Sequence, residues 1–199
     1  MIKEHTLACI VLLLAPVVHA QEPADEVLRV TLSGEFASEI KITGGPWLAT
    51  EPEQPLALTF TANGLAGVKQ FDMVVRLDPA DAFDASSLRF ITEGPFINPV
   101  GVDLLSEVEV KTGAAILGTA VDGEMLLGTL MMQTSAQFDP ALSARLVIQS
   151  FSIGPTSFER DTYAESDLEL SIVVSEGEMP TVVDVGSWGS VKALRDEEK

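Results

Sequence analysis

The stretch Gly67-Val68-Lys69-Gln70-Phe71-Asp72-Met73-Val74-Val75-Arg76-Leu77-Asp78-Pro79 alternates its side chains with the period of a β-strand. Phe71, Met73, Val75 and Leu77 fall on one face, and Gln70, Asp72, Val74 and Arg76 fall on the other. A strand patterned this way rests one side on a core and offers the other to solvent or to a partner. Pro79 has no N–H to give to a ladder, so the Asp78-Pro79 step stops the strand.

Outward from this strand the same pattern recurs. On the N-terminal side, Leu28, Val30 and Leu32 alternate, and so do Leu56, Leu58 and Phe60, a run that ends at the turn-forming pair Asn63-Gly64. On the C-terminal side, residues 80–87 fit one helical turn before Leu88 and Phe90 resume a strand, and Gly94-Pro95 and Asn98-Pro99 mark an irregular crossing. Val108 with Val110, then 115–121 and 125–132, read as three further strands, with Asp122-Gly123 closing the last two into a hairpin. Leu146, Ile148 and Phe151 form another strand. Leu168, Leu170, Ile172 and Val174 alternate in the last. Short strands punctuated by Gly, Pro, Asp and Asn, with few helix signals, define an all-β antiparallel sandwich of about nine strands.

The ends read differently. Lys3 followed by the apolar run 7–18 and by Val18-His19-Ala20 has the form of a secretory signal peptide over residues 1–20, cut after Ala20. The apolar run is shorter than the roughly 20 residues a membrane-spanning helix needs, and no later segment is long and apolar enough, so no membrane insertion of the mature chain is expected. Cys9 precedes most of the apolar core and is therefore not placed as a lipoprotein cysteine. The sandwich occupies 21–175. From 176 to 199 the alternation fails: Glu176-Gly177-Glu178-Met179-Pro180 reads as a linker, and Ser187 is placed to cap a short helix carrying Trp188, Val191 and Leu194 on one face.

Composition then narrows the chemistry. Removing 1–20 takes Lys3 and Glu4, so basic residues fall from 12 to 11, acidic ones from 30 to 29, and the net charge stays at −18. Such a field repels nucleic acid and anionic membranes and favours cations or basic partners. The single cysteine and both histidines, His5 and His19, leave with the signal. Without them a Ser-His-Asp triad, a Cys-His pair and an imidazole or thiolate zinc site cannot be built. About 180 residues bury enough surface for a core without disulfides.

The order of three segments resembles the bacterial cohesin domain, over about 55–174: the opening strand Leu56-Ala57-Leu58-Thr59-Phe60, the strand 67–79 with its Asp-Pro end, and the glycine-led strand 123–132, Gly-Glu-Met-Leu-Leu-Gly-Thr-Leu-Met-Met. The segment 29–53 is longer and more irregular than a typical cohesin opening, and the linked modules of a scaffoldin are absent from this sequence. The resemblance implies a jelly-roll sandwich with no chemistry of its own, which binds a calcium-loaded, dockerin-like helical module through one flat sheet face. That sheet includes the strand matching 71–77, so the outward residues Asp72, Val74 and Arg76 become candidate partner contacts. The alternative is an ordinary solvated face.

Three other readings compete. A carbohydrate-binding module of the same architecture, used in polysaccharide attachment or degradation, would stack sugars on exposed rings, for which Trp47 and Tyr163 in loops are candidates. Asp78, Asp81 and Asp84, three apart, suggest a cation site, but alternate-residue spacing and a glycine turn are missing, so no metal or cofactor is assigned. Carboxylate pairs at glycosidase spacing arise by chance among 29 acids, 30 less Glu4. In the tail, Trp188, Lys192 and Leu194 belong to a Trp-Gly-x-x-Lys-x-Leu pattern similar to the ends of some exported bacterial proteins; it serves either sorting or packing onto the sandwich. The expected location is periplasmic, cell-surface or extracellular. N-terminal sequencing of the exported protein is predicted to begin at Gln21; a chain still beginning at Met1 would refute the signal.

Overall fold

A computed structural model describes residues 27–45, 48–98 and 101–177; the segment 1–20, Trp47, and Trp188, Lys192 and Leu194 lie outside them. The deciding stretch is strand β4 (Gln70–Asp78), and its burial alternates as its sequence does, with Phe71, Met73, Val75 and Leu77 all inside. Its neighbours are β9 (Ser143–Gly154) on one side and β7 (Glu109–Ala115) on the other. β6 (Val102–Leu104) extends the sheet beyond β7, and β10 (Asp161–Ala164) and β11 (Ser171–Glu176) both pair with β9.

The second sheet runs β1 (Leu28–Thr31), β2 (Glu39–Gly44), β3 (Pro55–Val68), β8 (Val121–Gln133) and β5 (Arg89–Ile91). Every paired strand in both sheets is antiparallel. The inner faces meet in one core, in which Phe60 and Leu130 from the five-stranded sheet join Met73, Leu146 and Ile153 from the six-stranded one. The all-β sandwich expected from the alternation is therefore the observed architecture. Eleven strands are present among the described residues rather than nine: β2, β6 and β10 lie in stretches not read as strands, while the expected strand over 115–121 does not form.

The expected hairpin at Asp122-Gly123 is not there. Both residues sit inside β8, with Gly123 opposite Leu65 of β3, where the ladder shifts register. Asn63-Gly64 likewise lies within β3 and does not end it. Gly64 at φ 65° and Gly123 at φ 85° adopt conformations that side chains resist, so these glycines absorb bulges and let two long strands continue as one twisted ladder. Residues 116–120, read as strand, instead carry the chain from β7 in one sheet to β8 in the other. Residues 80–87 form two tight turns, Ala80–Ala82 and Ala85–Ser87. Leu168 belongs to a one-turn helix, α1 (Glu165–Leu168), ahead of β11, yet it is buried as its apolar character requires.

Phe71 lies at the middle of this packing, with Phe90, Phe96 and Phe151 at centroid distances of 6.0, 5.2 and 6.4 Å. Truncating it removes ring contacts and leaves a cavity between two sheets that cannot both close in. Phe71→Ala is predicted to destabilise the domain by about 3–5 kcal/mol, read as a lowered urea midpoint at unchanged slope. A loss below about 1 kcal/mol would contradict the packing.

Candidate functional site

The outer face of the six-stranded sheet is built row by row from the register around β4. Asp72 stands between Gly113 of β7 and Ser152 of β9, Val74 between Lys111 and Ser150, and Arg76 between Glu109 and Val147. Thr162 and Ala164 of β10 continue the rows beyond Ser152 and Ser150. The structure thus brings Asp72, Val74 and Arg76 together on one outward surface at the centre of the sheet. Small hydroxyl and glycine positions around them keep that surface low, and the Ser152 and Thr162 hydroxyls meet at 3.1 Å.

Charge is organised on this face. Asp72 is shared by Arg160 at 2.5 Å and Lys111 at 3.8 Å. Arg76 reaches Glu165 of α1 at 3.1 Å, and Arg145 of β9 lies 3.4 Å from Asp78 at the end of β4. Four of the eight basic side chains among the described residues are gathered here, in a chain of net charge −18. Partly exposed pairs such as these each contribute about 0–1 kcal/mol, so their effect is to balance the local field more than to hold the fold.

Sequence reasoning missed Phe158. It lies in the loop between β9 and β10 and is fully exposed, while its own N–H and that of Glu159 donate to Thr156 Oγ1 at 3.3 and 3.0 Å. The available signal was a single aromatic residue inside the polar turn Pro155-Thr156-Ser157-Phe158-Glu159-Arg160, outside any alternating run.

Tyr163 is corrected by the structure. It was read as a loop residue able to stack on sugar, but it lies in β10 with its ring pointing into the core, 6% exposed. Its hydroxyl has no hydrogen-bond partner of good geometry, although the Asp161 carboxylate lies beside it. That carboxylate is occupied by the backbone N–H groups of Glu35 and Phe36, which donate to it at 2.6 and 2.9 Å and so tie the 33–37 loop to β10. Burial first, and the Asp161 charge second, push the Tyr163 phenol up to about 12 from an ordinary 10.

Two of the three aspartates at and after the end of β4 are engaged in different contacts. Asp78 pairs with Arg145, while Asp84 caps the second tight turn, accepting from the Ser86 N–H at 2.9 Å, the Ser86 hydroxyl at 2.6 Å and Gln133 Nε2 at 3.0 Å. Those bonds, the Ser86 hydroxyl foremost, hold its carboxyl below the usual range. No grouping of three His, Cys, Asp or Glu side chains suited to a metal occurs among the described residues, and no helix among them is long and apolar enough to cross a membrane.

Many of the solved structures similar to this chain are cohesin modules. One is the cohesin module of a family 33 glycoside hydrolase from Clostridium perfringens, at 14% identity over 67% of this chain and 93% of that one, with a TM-score of 0.48. Another is the sixth cohesin of scaffoldin B from Acetivibrio cellulolyticus, solved in complex with a mutant dockerin, at 13% identity over 64% and 87%, TM-score 0.37. A third is a non-cellulosomal cohesin from the archaeon Archaeoglobus fulgidus, at 11% identity over 63% and 77%, TM-score 0.35. No protein-family model matches the sequence, and no curated protein matches it.

The raised Tyr163 phenol sets the sign of an alkaline effect. The folded state holds the proton more tightly than the unfolded state does, so this contribution is fully present below pH 10 and is lost as pH rises toward about 12. Tyr163→Phe is predicted to flatten the fall in urea midpoint over that window without weakening the domain at neutral pH, since it removes an unpartnered hydroxyl. An unchanged alkaline slope would contradict the placement.

Proposed function

We propose that residues 21–175 form a non-catalytic docking module that acts after export and holds a dockerin-like protein through the outer face of its six-stranded sheet. The observation that carries this is the concentration of paired cations there. Elsewhere a chain of net charge −18 repels an acidic neighbour, whereas this face meets a partner with its field largely cancelled and with Val74 and small side chains at its centre. Electrostatic balance of this kind governs partner choice and approach more than raw affinity. The motif resemblance to cohesins supports the kind of partner, and a mature chain without histidine or cysteine supports binding over catalysis. Residues 176–199 are proposed to act separately, with Trp188, Lys192 and Leu194 recognised in sorting.

Isothermal titration of the mature chain with dockerin-bearing exported proteins from the same source, with and without calcium, tests the reading. Calcium-dependent binding is expected, weakened at least about tenfold by Val74→Asp or Arg76→Glu, a cost near 1.4 kcal/mol. Retention on polysaccharide with no binding to any dockerin would overturn it in favour of a carbohydrate-binding module.

A further inference from the structure

One end of this face is concave. Between Ile97 on one side and Ser157 and Arg160 on the other lies a cleft of about 400 Å³, floored by Gly113 and Ala115 of β7. The floor is fixed open by close approach: a Cβ at position 113 would stand 2.5 Å from the Phe71 carbonyl oxygen and 2.9 Å from Asp72 Cα, so a side chain there requires β4 to shift. The Ile97 wall is fixed by two backbone hydrogen bonds with Ala115, at 2.8 and 3.0 Å, while the Ile97 side chain stays about half exposed. Phe158, next in the chain to the lining residue Ser157, is not part of the lining and is wholly in solvent. The lining is mainly apolar, and its charges cancel: Asp72 and Asp103 against Lys111 and Arg160.

We propose that this cleft, resting on the docking reading above, receives one uncharged apolar side chain, aliphatic or aromatic, from the protein partner, with Ile97 and Phe158 closing on it from either side. A charged side chain entering it would lose its water in a space whose two cations already share Asp72. An apolar side chain loses nothing there and covers two exposed apolar residues. A few well-desolvated anchors carry most of the energy of protein interfaces, so the anchor of the face lies at its Asp72–Gly113 end rather than at Val74 and Arg76.

The test needs no partner. The isotope-labelled mature chain is titrated, with backbone amide shifts as readout, against N-acetyl-leucinamide, N-acetyl-tryptophanamide, N-acetyl-lysinamide, N-acetyl-aspartate amide and cellobiose. Saturable shifts at Ile97, Gly113 and Ser157 are expected with the two apolar amides. Binding of the charged amides or cellobiose is expected to be at least about tenfold weaker, and Phe158→Asp or Ile97→Asp is expected to weaken the apolar amides by a similar factor while the remaining spectrum stays unchanged. Absence of shifts at those amides, or stronger binding of a charged amide or of cellobiose, overturns the proposal. Apolar amides binding while every dockerin fails would sink the docking reading and leave the cleft standing. Dockerin binding that is lost in Val74→Asp but indifferent to Phe158→Asp would sink the cleft alone.

Discussion

The structure depends on Phe71 being clamped between two sheets. From β4 its ring meets Phe151 of the same sheet at 6.4 Å and Phe90 of the opposite sheet at 6.0 Å, with Phe96 edge-on at 5.2 Å. Phe60 joins through Phe90 at 6.5 Å. Edge and offset ring contacts add to the burial of large apolar surface, and they substitute for the disulfide that a chain with one cysteine cannot form within itself. Because β side chains alternate, fixing Phe71, Met73, Val75 and Leu77 inward fixes Asp72, Val74 and Arg76 outward. The core therefore sets which residues reach the proposed docking face: a one-residue slip of β4 would bury Asp72 and Arg76 and expose the aromatic cluster.

The second constraint is the pair β3 and β8, strands of 14 and 13 residues whose ladder runs through three register shifts. Bulges increase local twist and let long strands wrap a core. Gly64 and Gly123 occupy these irregular places with positive φ. The same residue types that close hairpins here relieve strain inside a continuous ladder, and only the partner strand distinguishes the two outcomes.

That distinction marks what the sequence could disclose. The faces of β4 and the all-β class were legible because period-two alternation is a local signal that burial enforces. The hairpin at Asp122-Gly123 was misread because turn chemistry is also local, while pairing of 123 with Leu65 is not. Strand β2 carried a short alternation, Glu39-Ile40-Lys41-Ile42, inside a segment taken as irregular. Tyr163 was misplaced because a single aromatic beside Asp161 gives no period, and its burial follows from β10 pairing with β9. Asp72, Val74 and Arg76 could be put on one face from sequence, but Arg160 and Lys111, which give that face its charge balance, come from a loop and a strand up to 88 residues away.

The proposed meeting place for the partner is the outer face of the six-stranded sheet, where four basic side chains of a strongly acidic molecule are paired with carboxylates. The opposite outer face, with Thr59 and Thr129 paired at 3.0 Å and Met131 alongside, serves as the internal control. Cross-saturation transfer from a bound dockerin-bearing partner to the labelled chain measures this directly. Transfer to Val74, Gly113, Ser150 and Phe158, with Thr59, Thr129 and Met131 silent, is the predicted result; transfer to the Thr59 face with Val74 silent would contradict the account.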